Sequence, residues 1–109
     1  MEKFVPVITS AYVKKIDIED IVYLEQRQRR LAVITQDETY VCYERIESLE
    51  RQLDERFYYS LKKLVVNLEK IILAKNQSIT FQNGDRIMLG RESYIRTKQS
   101  YAAYLRKLL

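Results

Sequence analysis

The sequence predicts a mainly β domain with one short internal helix and a C-terminal helix. Three observations carry that prediction. Short runs of β-branched, aromatic and aliphatic residues recur along the chain, among them "IVYLE", "LAVIT", "TYVCY" and "QSITF". An Asn-Gly pair in "QNGD" separates two β-prone runs, which is a strong local hairpin signal. Apolar residues shift to helical spacing after Glu44 and again from Tyr94.

Taken in order, Pro6 suits a strand end or a sheet edge, where its missing N–H costs no ladder bond. "AYVKKI" is a short β-prone run, and "DIED" after it reads as a turn or brief helical element leading into "IVYLE". "LAVIT" and "TYVCY" flank "QDE" as a hairpin with a tight polar turn. Ile46, Leu49 and Leu53 then recur at i, i+3 and i+7, which predicts an amphipathic helix over "RIESLERQLD", with Asp54 at its end. The next stretch, "FYYSLKKLVVNLEKI", would alone suit an amphipathic helix with two lysines in water. In context it divides: "FYYS" is a strand, Lys62 and Lys63 sit on a short connection, and "LVVN" returns to the core. "QSITF" and "RIML" pair across "QNGD", whose central residues are both expected at positive φ. Tyr94, Tyr101, Leu105 and Leu108 mark a terminal helix over 92–109, about four to five turns long. Its apolar stripe is expected to close the domain's own core; docking on another subunit is the alternative.

The 109 residues are enough for a single domain, 1–109, and too few for two separate cores. No apolar run is long enough to span a bilayer, and "MEKFVPV" does not read as a secretory signal. One cysteine, Cys42, excludes an intramolecular disulfide and suits a reducing, cytoplasmic setting; it reads as a buried strand residue. The absence of histidine removes Ser-His and Cys-His catalysis, histidine-ligated metals and a histidine pH switch together. Two glycines cannot build a Gly-rich phosphate cradle. "DIED", with Asp17, Glu19 and Asp20, is the best enzyme-like material, and it suits a turn cap better than a metal site. No catalytic residue, metal or cofactor is expected. The nine tyrosines, Tyr23, Tyr40 and Tyr43 among them, are expected mainly in core or half-buried packing.

Charge is unevenly placed. Residues 1–54 hold 8 Lys/Arg and 11 Asp/Glu, whereas 55–109 hold 11 Lys/Arg and 4 Asp/Glu. A net +4 so distributed points to a polyanion, nucleic acid before membrane. The basic residues fall in three clusters on connections or element ends: Arg27, Arg29 and Arg30 in "QRQRR"; Lys62 with Lys63; and Arg91 after "RIML" and Gly90. Such residues can present long donors to phosphates or to guanine O6 and N7. Arg86, Arg96 and Lys98 are further phosphate candidates by charge alone.

The order of these features resembles the LytTR DNA-binding domain. The motifs are an aromatic pair at Phe57-Tyr58, the basic Lys62-Lys63, then Val65-Val66-Asn67 and Ile71. A preceding "SLxxLExxL"-type helix matches at Ser48 to Leu53, and "L-x-R" matches at Leu89-Gly90-Arg91. Each motif is loose; their order and spacing over residues 10 to 98 are more specific. The resemblance implies an elongated β-rich domain that inserts loops, not a recognition helix, into successive major grooves of double-stranded DNA and bends it. Carried over by position, the base contacts are Arg30 or Arg29, Lys62 and Arg91, with Lys63 and Arg27 on phosphates. The resemblance further implies a bacterial transcription regulator that binds repeated promoter sites beside a second copy of itself. Such regulators usually carry a receiver domain ahead of this one; none lies within these 109 residues, and an excised output domain and a free-standing regulator both fit. The chain departs from the family pattern at Leu61, where histidine is common, at Lys63, usually a small hydroxyl residue, and at Tyr59, often arginine.

Overall fold

The computed structural model describes residues 3–109. Ten strands and a helix follow in order: β1 (Phe4–Ile8), β2 (Val13–Asp17), β3 (Ile21–Arg27), β4 (Arg30–Thr35), β5 (Thr39–Tyr43), β6 (Phe57–Leu61), β7 (Leu64–Asn67), β8 (Ile71–Lys75), β9 (Ser78–Phe81), β10 (Arg86–Met88) and α1 (Arg91–Lys107). Short 3₁₀ segments at Ile18–Asp20, Ile46–Gln52 and Leu68–Lys70 join them. The central sheet has the order β5-β4-β3-β7-β6, antiparallel throughout. β1-β2 forms a two-stranded sheet, and β10-β9-β8 a three-stranded one.

The central sheet is covered on both faces, which explains why β3 and β4 read as near-continuous apolar runs. One face carries Ile21, Leu24, Leu31, Val33 and Val65, packed against Val5, Val7 and Ile16 of the first hairpin and Ile46 and Leu49. The other carries Val22, Tyr23, Ile34, Leu64 and Val66, packed against Ile79 and Phe81 of the three-stranded sheet and Tyr94 of α1. Tyr23 stacks on Phe81 with ring centroids 5.1 Å apart. A bulge in β3 between Ile21 and Tyr23 breaks the period-2 alternation, so that the neighbours Val22 and Tyr23 serve the same core while Ile21 and Leu24 serve the other. The principal extents are 40 × 31 × 24 Å.

Several expectations are refined. The internal helix is the 3₁₀ segment Ile46–Gln52; Ile46 and Leu49, three apart, share a face at three residues per turn as well as at 3.6. Leu53 follows in extended conformation and still packs on the first core. The terminal helix begins at Arg91, not 92, and ends at Lys107. The Asn-Gly hairpin exists, but only Gly84 of the pair has a positive φ, at 93°. The Gly84 N–H donates to the Phe81 carbonyl and the Phe81 N–H to that of Asp85, both at 2.9 Å. This is a type I turn followed by a left-handed glycine bulge, so Asn83 keeps its ordinary φ and accepts from the Asp85 N–H at 2.9 Å. Pro6 lies within β1, where the two-stranded sheet leaves an open edge. Cys42 is buried, and burial pushes its thiol pKa up.

Candidate nucleic-acid interface

Strand polarity brings the basic connections to one end of the central sheet. β3 leaves toward that end and returns as β4 through a two-residue turn, with Arg27 opposite Arg30 and only Gln28 and Arg29 in the turn. β6 and β7 meet there in a second two-residue turn, Lys62-Lys63, closed by the Leu61–Leu64 pair. Because Glu25 of β3 pairs with Leu64 of β7, the two turns lie side by side, and the Gln26 N–H donates to the Lys63 carbonyl at 2.9 Å.

The third cluster arrives on α1. Thr97 bonds to Ser60 of β6, Tyr101 to the Ile71 carbonyl, and Lys107 to Glu55 before β6. The helix therefore runs antiparallel to β6, and its first turn, with Arg91, is directed toward the Lys62-Lys63 end. Leu89 and Gln77 exchange backbone and side-chain bonds, which sets the Asn76-Gln77 turn beside the start of α1. Both residues of that turn have positive φ, 52° and 59°, as a two-residue hairpin of primed type requires.

The opposite end of the sheet is acidic. Asp20, which precedes β3, and Asp37 and Glu38, which join β4 to β5, line one recess there with Asp17, and its carboxylates outnumber the two lysines, Lys14 and Lys15, that share it. The molecule thus carries its positive and negative ends along the strand direction.

The predicted contacts divide by their partners. Arg27 is tied to Glu25 at 2.8 Å, its i−2 neighbour on the same face of β3. The Arg30 guanidinium donates to the Tyr43 hydroxyl at 3.1 Å and lies 5.3 Å from the ring centroid. Tyr43 is 72% exposed, against the expectation of core or half-buried packing: in β5 the buried neighbour is Cys42, and Tyr43 takes the alternate face. Arg29, Lys62, Lys63 and Arg91 are exposed, and none enters the ion pairs found among the described residues. Arg96, bonded to Ser93 Oγ at 3.4 Å, and Lys98 follow Arg91 on exposed positions of α1. Arg86 begins β10 beside the Asn83–Gly84 loop and is not grouped with the others. Leu61, where family members often have histidine, is 45% exposed beside the lysine turn.

Residues to which the sequence assigned no role hold the frame together, Gln26, Ser60 and Thr97 near the basic end and Asn67 at the other. The Gln26 side chain bonds the basic turn and the start of the 3₁₀ segment, and Ser60 and Thr97 join buried hydroxyls between β6 and α1. Asn67 is fully buried; its Nδ2 donates to the Ile21 carbonyl at 2.8 Å and its Oδ1 accepts from the Glu69 N–H at 3.0 Å. Asn67 was visible in the sequence only as the end of a valine-rich strand, and the others carried no signal. No helix among the described residues is long and apolar enough to cross a membrane.

The family model for the LytTr DNA-binding domain matches residues 11–108. No curated protein matches the chain. Among solved structures, a Bacillus cereus LytTr DNA-binding domain, described as that of a methyl-accepting/DNA response regulator, aligns over 99% of this chain and 97% of its own with a TM-score of 0.69 and 21% identity. That structure shares the fold, and the family model spans nearly the whole sequence: the chain belongs to the LytTr DNA-binding domain family.

Proposed function

We propose that the domain binds double-stranded DNA through the basic end of its central sheet, as the DNA-reading part of a bacterial transcription regulator. The observation that carries this reading is the convergence of the 28–29 turn, the 62–63 turn and the first turn of α1 on one end, each with an exposed cation that enters no ion pair among the described residues. Two-residue turns are short tethers on a rigid sheet, so their side chains enter a groove with little conformational freedom to lose. Arg29, Lys62 and Arg91 are the base-reading set in the major groove, and Lys63 contacts phosphate. Arg29 is preferred to Arg30 because the Arg30 guanidinium is already engaged by Tyr43. Arg27, held by Glu25, serves as a phosphate contact after release from that pair. Arg96 and Lys98 extend the phosphate contacts along α1, whereas Arg86, beside a loop that Asn83 ties to the Thr35 end of β4, lies away from the basic end and takes no part in it.

Affinity comes chiefly from phosphate neutralisation and selectivity from base edges and the cost of bending the duplex. The acidic far end disfavours approach to DNA in the reverse orientation. In the cell the domain works in the cytoplasm, on repeated promoter sites with a second copy, either as the output domain of a receiver-bearing regulator or as a free-standing one. Selection from a randomised duplex pool tests the reading: enrichment of a defined motif with steep salt dependence is expected, and flat recovery sinks it. A second reading is favoured by Leu105, Leu108 and Leu109, which are exposed although Tyr94, Tyr101 and Tyr104 of the same helix pack in the core. On that reading the helix end docks on another protein surface; a DNA-free dimer in sedimentation that is lost on truncating 99–109 would support it.

A further inference from the structure

We infer that Gln26 is a positioning residue for DNA reading: its side chain fixes the Arg29 turn while its main chain fixes the neighbouring lysine turn. The inference rests on the DNA-reading role proposed above. Gln26 is the penultimate residue of β3 and half-buried. Its Nε2 donates to the carbonyls of Gln28 at 3.0 Å, Arg30 at 3.1 Å and Glu44 at 3.0 Å. An amide nitrogen has two hydrogens for these three acceptors, so one hydrogen is shared. Its Oε1 accepts from the Ile46 N–H at 2.9 Å. Its own N–H donates to the Lys63 carbonyl at 2.9 Å.

Five groups around one residue would be an ordinary strut if the turn were relaxed. It is not. Gln28 adopts φ of 59°, a region disfavoured for a residue with a side chain, and its carbonyl is one of the three that Gln26 holds. The Gln28 carbonyl lies in the peptide that enters Arg29 and the Arg30 carbonyl in the peptide that leaves the turn, so Gln26 holds the chain on both sides of Arg29 and limits its direction. The same residue anchors the peptide after Lys63, where the lysine turn enters β7. One side chain and one N–H therefore establish the spacing between the two turns that face DNA. Loosening such a support costs selectivity before it costs electrostatic attraction, because phosphate contacts tolerate displacement that bidentate base contacts do not.

The test uses the full chain, the best duplex recovered by the wild-type chain from a randomised pool, and calf-thymus DNA as the unselected competitor. If the wild-type chain recovers no preferred duplex, the DNA-reading role itself fails. If it does, Gln26→Ala should bind the selected duplex about tenfold more weakly while its affinity for calf-thymus DNA stays near wild type. That loss should largely vanish in an Arg29→Ala/Arg30→Ala background, since Gln26 then has no reader left to position. Equal losses on both DNAs, full retention of selectivity, or an undiminished loss in the double-substituted background overturns the inference. Gln26→Met supplies the same comparison with the side-chain length kept, should the alanine variant melt. Hydrogen exchange on the wild-type chain adds an arm that needs no substitution: the Ile46 amide should be protected, and exchange at the rate of an unstructured chain overturns the inference.

Discussion

Thr97 Oγ1 donates to Ser60 Oγ at 2.8 Å across the seam between α1 and β6, with both residues almost fully buried. Ser60 lies at the register shift of β6, two residues before Lys62, and Thr97 lies two turns into the helix that begins with Arg91. The pair therefore joins the second basic connection to the third. Removing one partner strands a buried hydroxyl, whereas removing both leaves an apolar seam. Thr97→Val is expected to cost about 1–3 kcal/mol in urea unfolding. Adding Ser60→Ala to it should cost less than the sum of the singles; strict additivity would argue against a direct bond.

Asn67 closes a different join. Its amide satisfies the Ile21 carbonyl at the start of β3 and caps the 3₁₀ segment Leu68–Lys70, all without exposure to solvent. Asn67→Ala leaves the Ile21 carbonyl unpaired in the interior and the partly buried Glu69 N–H without its cap. The expected loss is about 2–4 kcal/mol, larger than for either hydroxyl above, because two backbone groups lose their partner. Chemical denaturation measures it, and a loss within the range of an ordinary surface substitution would contradict the reading.

These two joins show what was legible and what was not. The Asn-Gly turn declared its hairpin because backbone conformation at a glycine is a local property. The two-core layout was only half visible: unbroken apolar runs in β3 and β4 signal burial on both faces, but the bulges at Val22 and Ser60 that assign residues to one core or the other arise from long-range register. Ile46–Gln52 read as a helix because Ile46 and Leu49 fit either helical period, and side-chain spacing does not say which carbonyl each N–H will choose. In the site, the cations were plain in the sequence and their partners were not. Arg27 with Glu25 follows from i, i+2 placement on one strand. Arg30 on Tyr43 requires knowing that β4 and β5 align those residues, and this cross-strand contact separates Arg30 from Arg29.

Acid should weaken one corner of the fold selectively. Arg56 holds the Asp54 carboxylate through Nε at 3.0 Å and 3.1 Å and through Nη2 at 2.8 Å, which lowers the Asp54 pKa below the usual carboxylate value. A depressed carboxylate pKa contributes stability that is present above the unfolded-state value, about 4, and is lost as pH falls through the folded-state value. The stability gap between wild type and Asp54→Asn is therefore expected to be constant near neutrality and to close as pH drops below about 4. Partial exposure of both side chains keeps the gap small. Urea midpoints across an acid series provide the measurement, and a gap that does not change with pH would exclude the ion pair as its source.

Reading and attraction are separable at the basic end. Arg91 stands at the first position of α1 and Arg29 in the strained β3-β4 turn, both exposed and without an ion-pair partner among the described residues. A guanidinium so placed can satisfy guanine O6 and N7 together, so its removal should be felt at one base pair. Arg91→Ala and Arg29→Ala are each expected to flatten preference at a single, different position of the selected site, at a cost of about 1–3 kcal/mol there. Lys63 differs: its carbonyl is held by Gln26, but its ammonium is a point charge on a flexible stem, suited to phosphate. Lys63→Ala should weaken selected and unselected duplexes alike and lower the slope of log affinity against log salt by about one counterion's worth. Binding isotherms across a salt series, repeated on duplexes with each position varied, distinguish the two patterns. If Arg91→Ala behaved as Lys63→Ala does, losing affinity uniformly and shedding salt dependence, then the first turn of α1 would sit on the backbone and selectivity would rest on the two β turns.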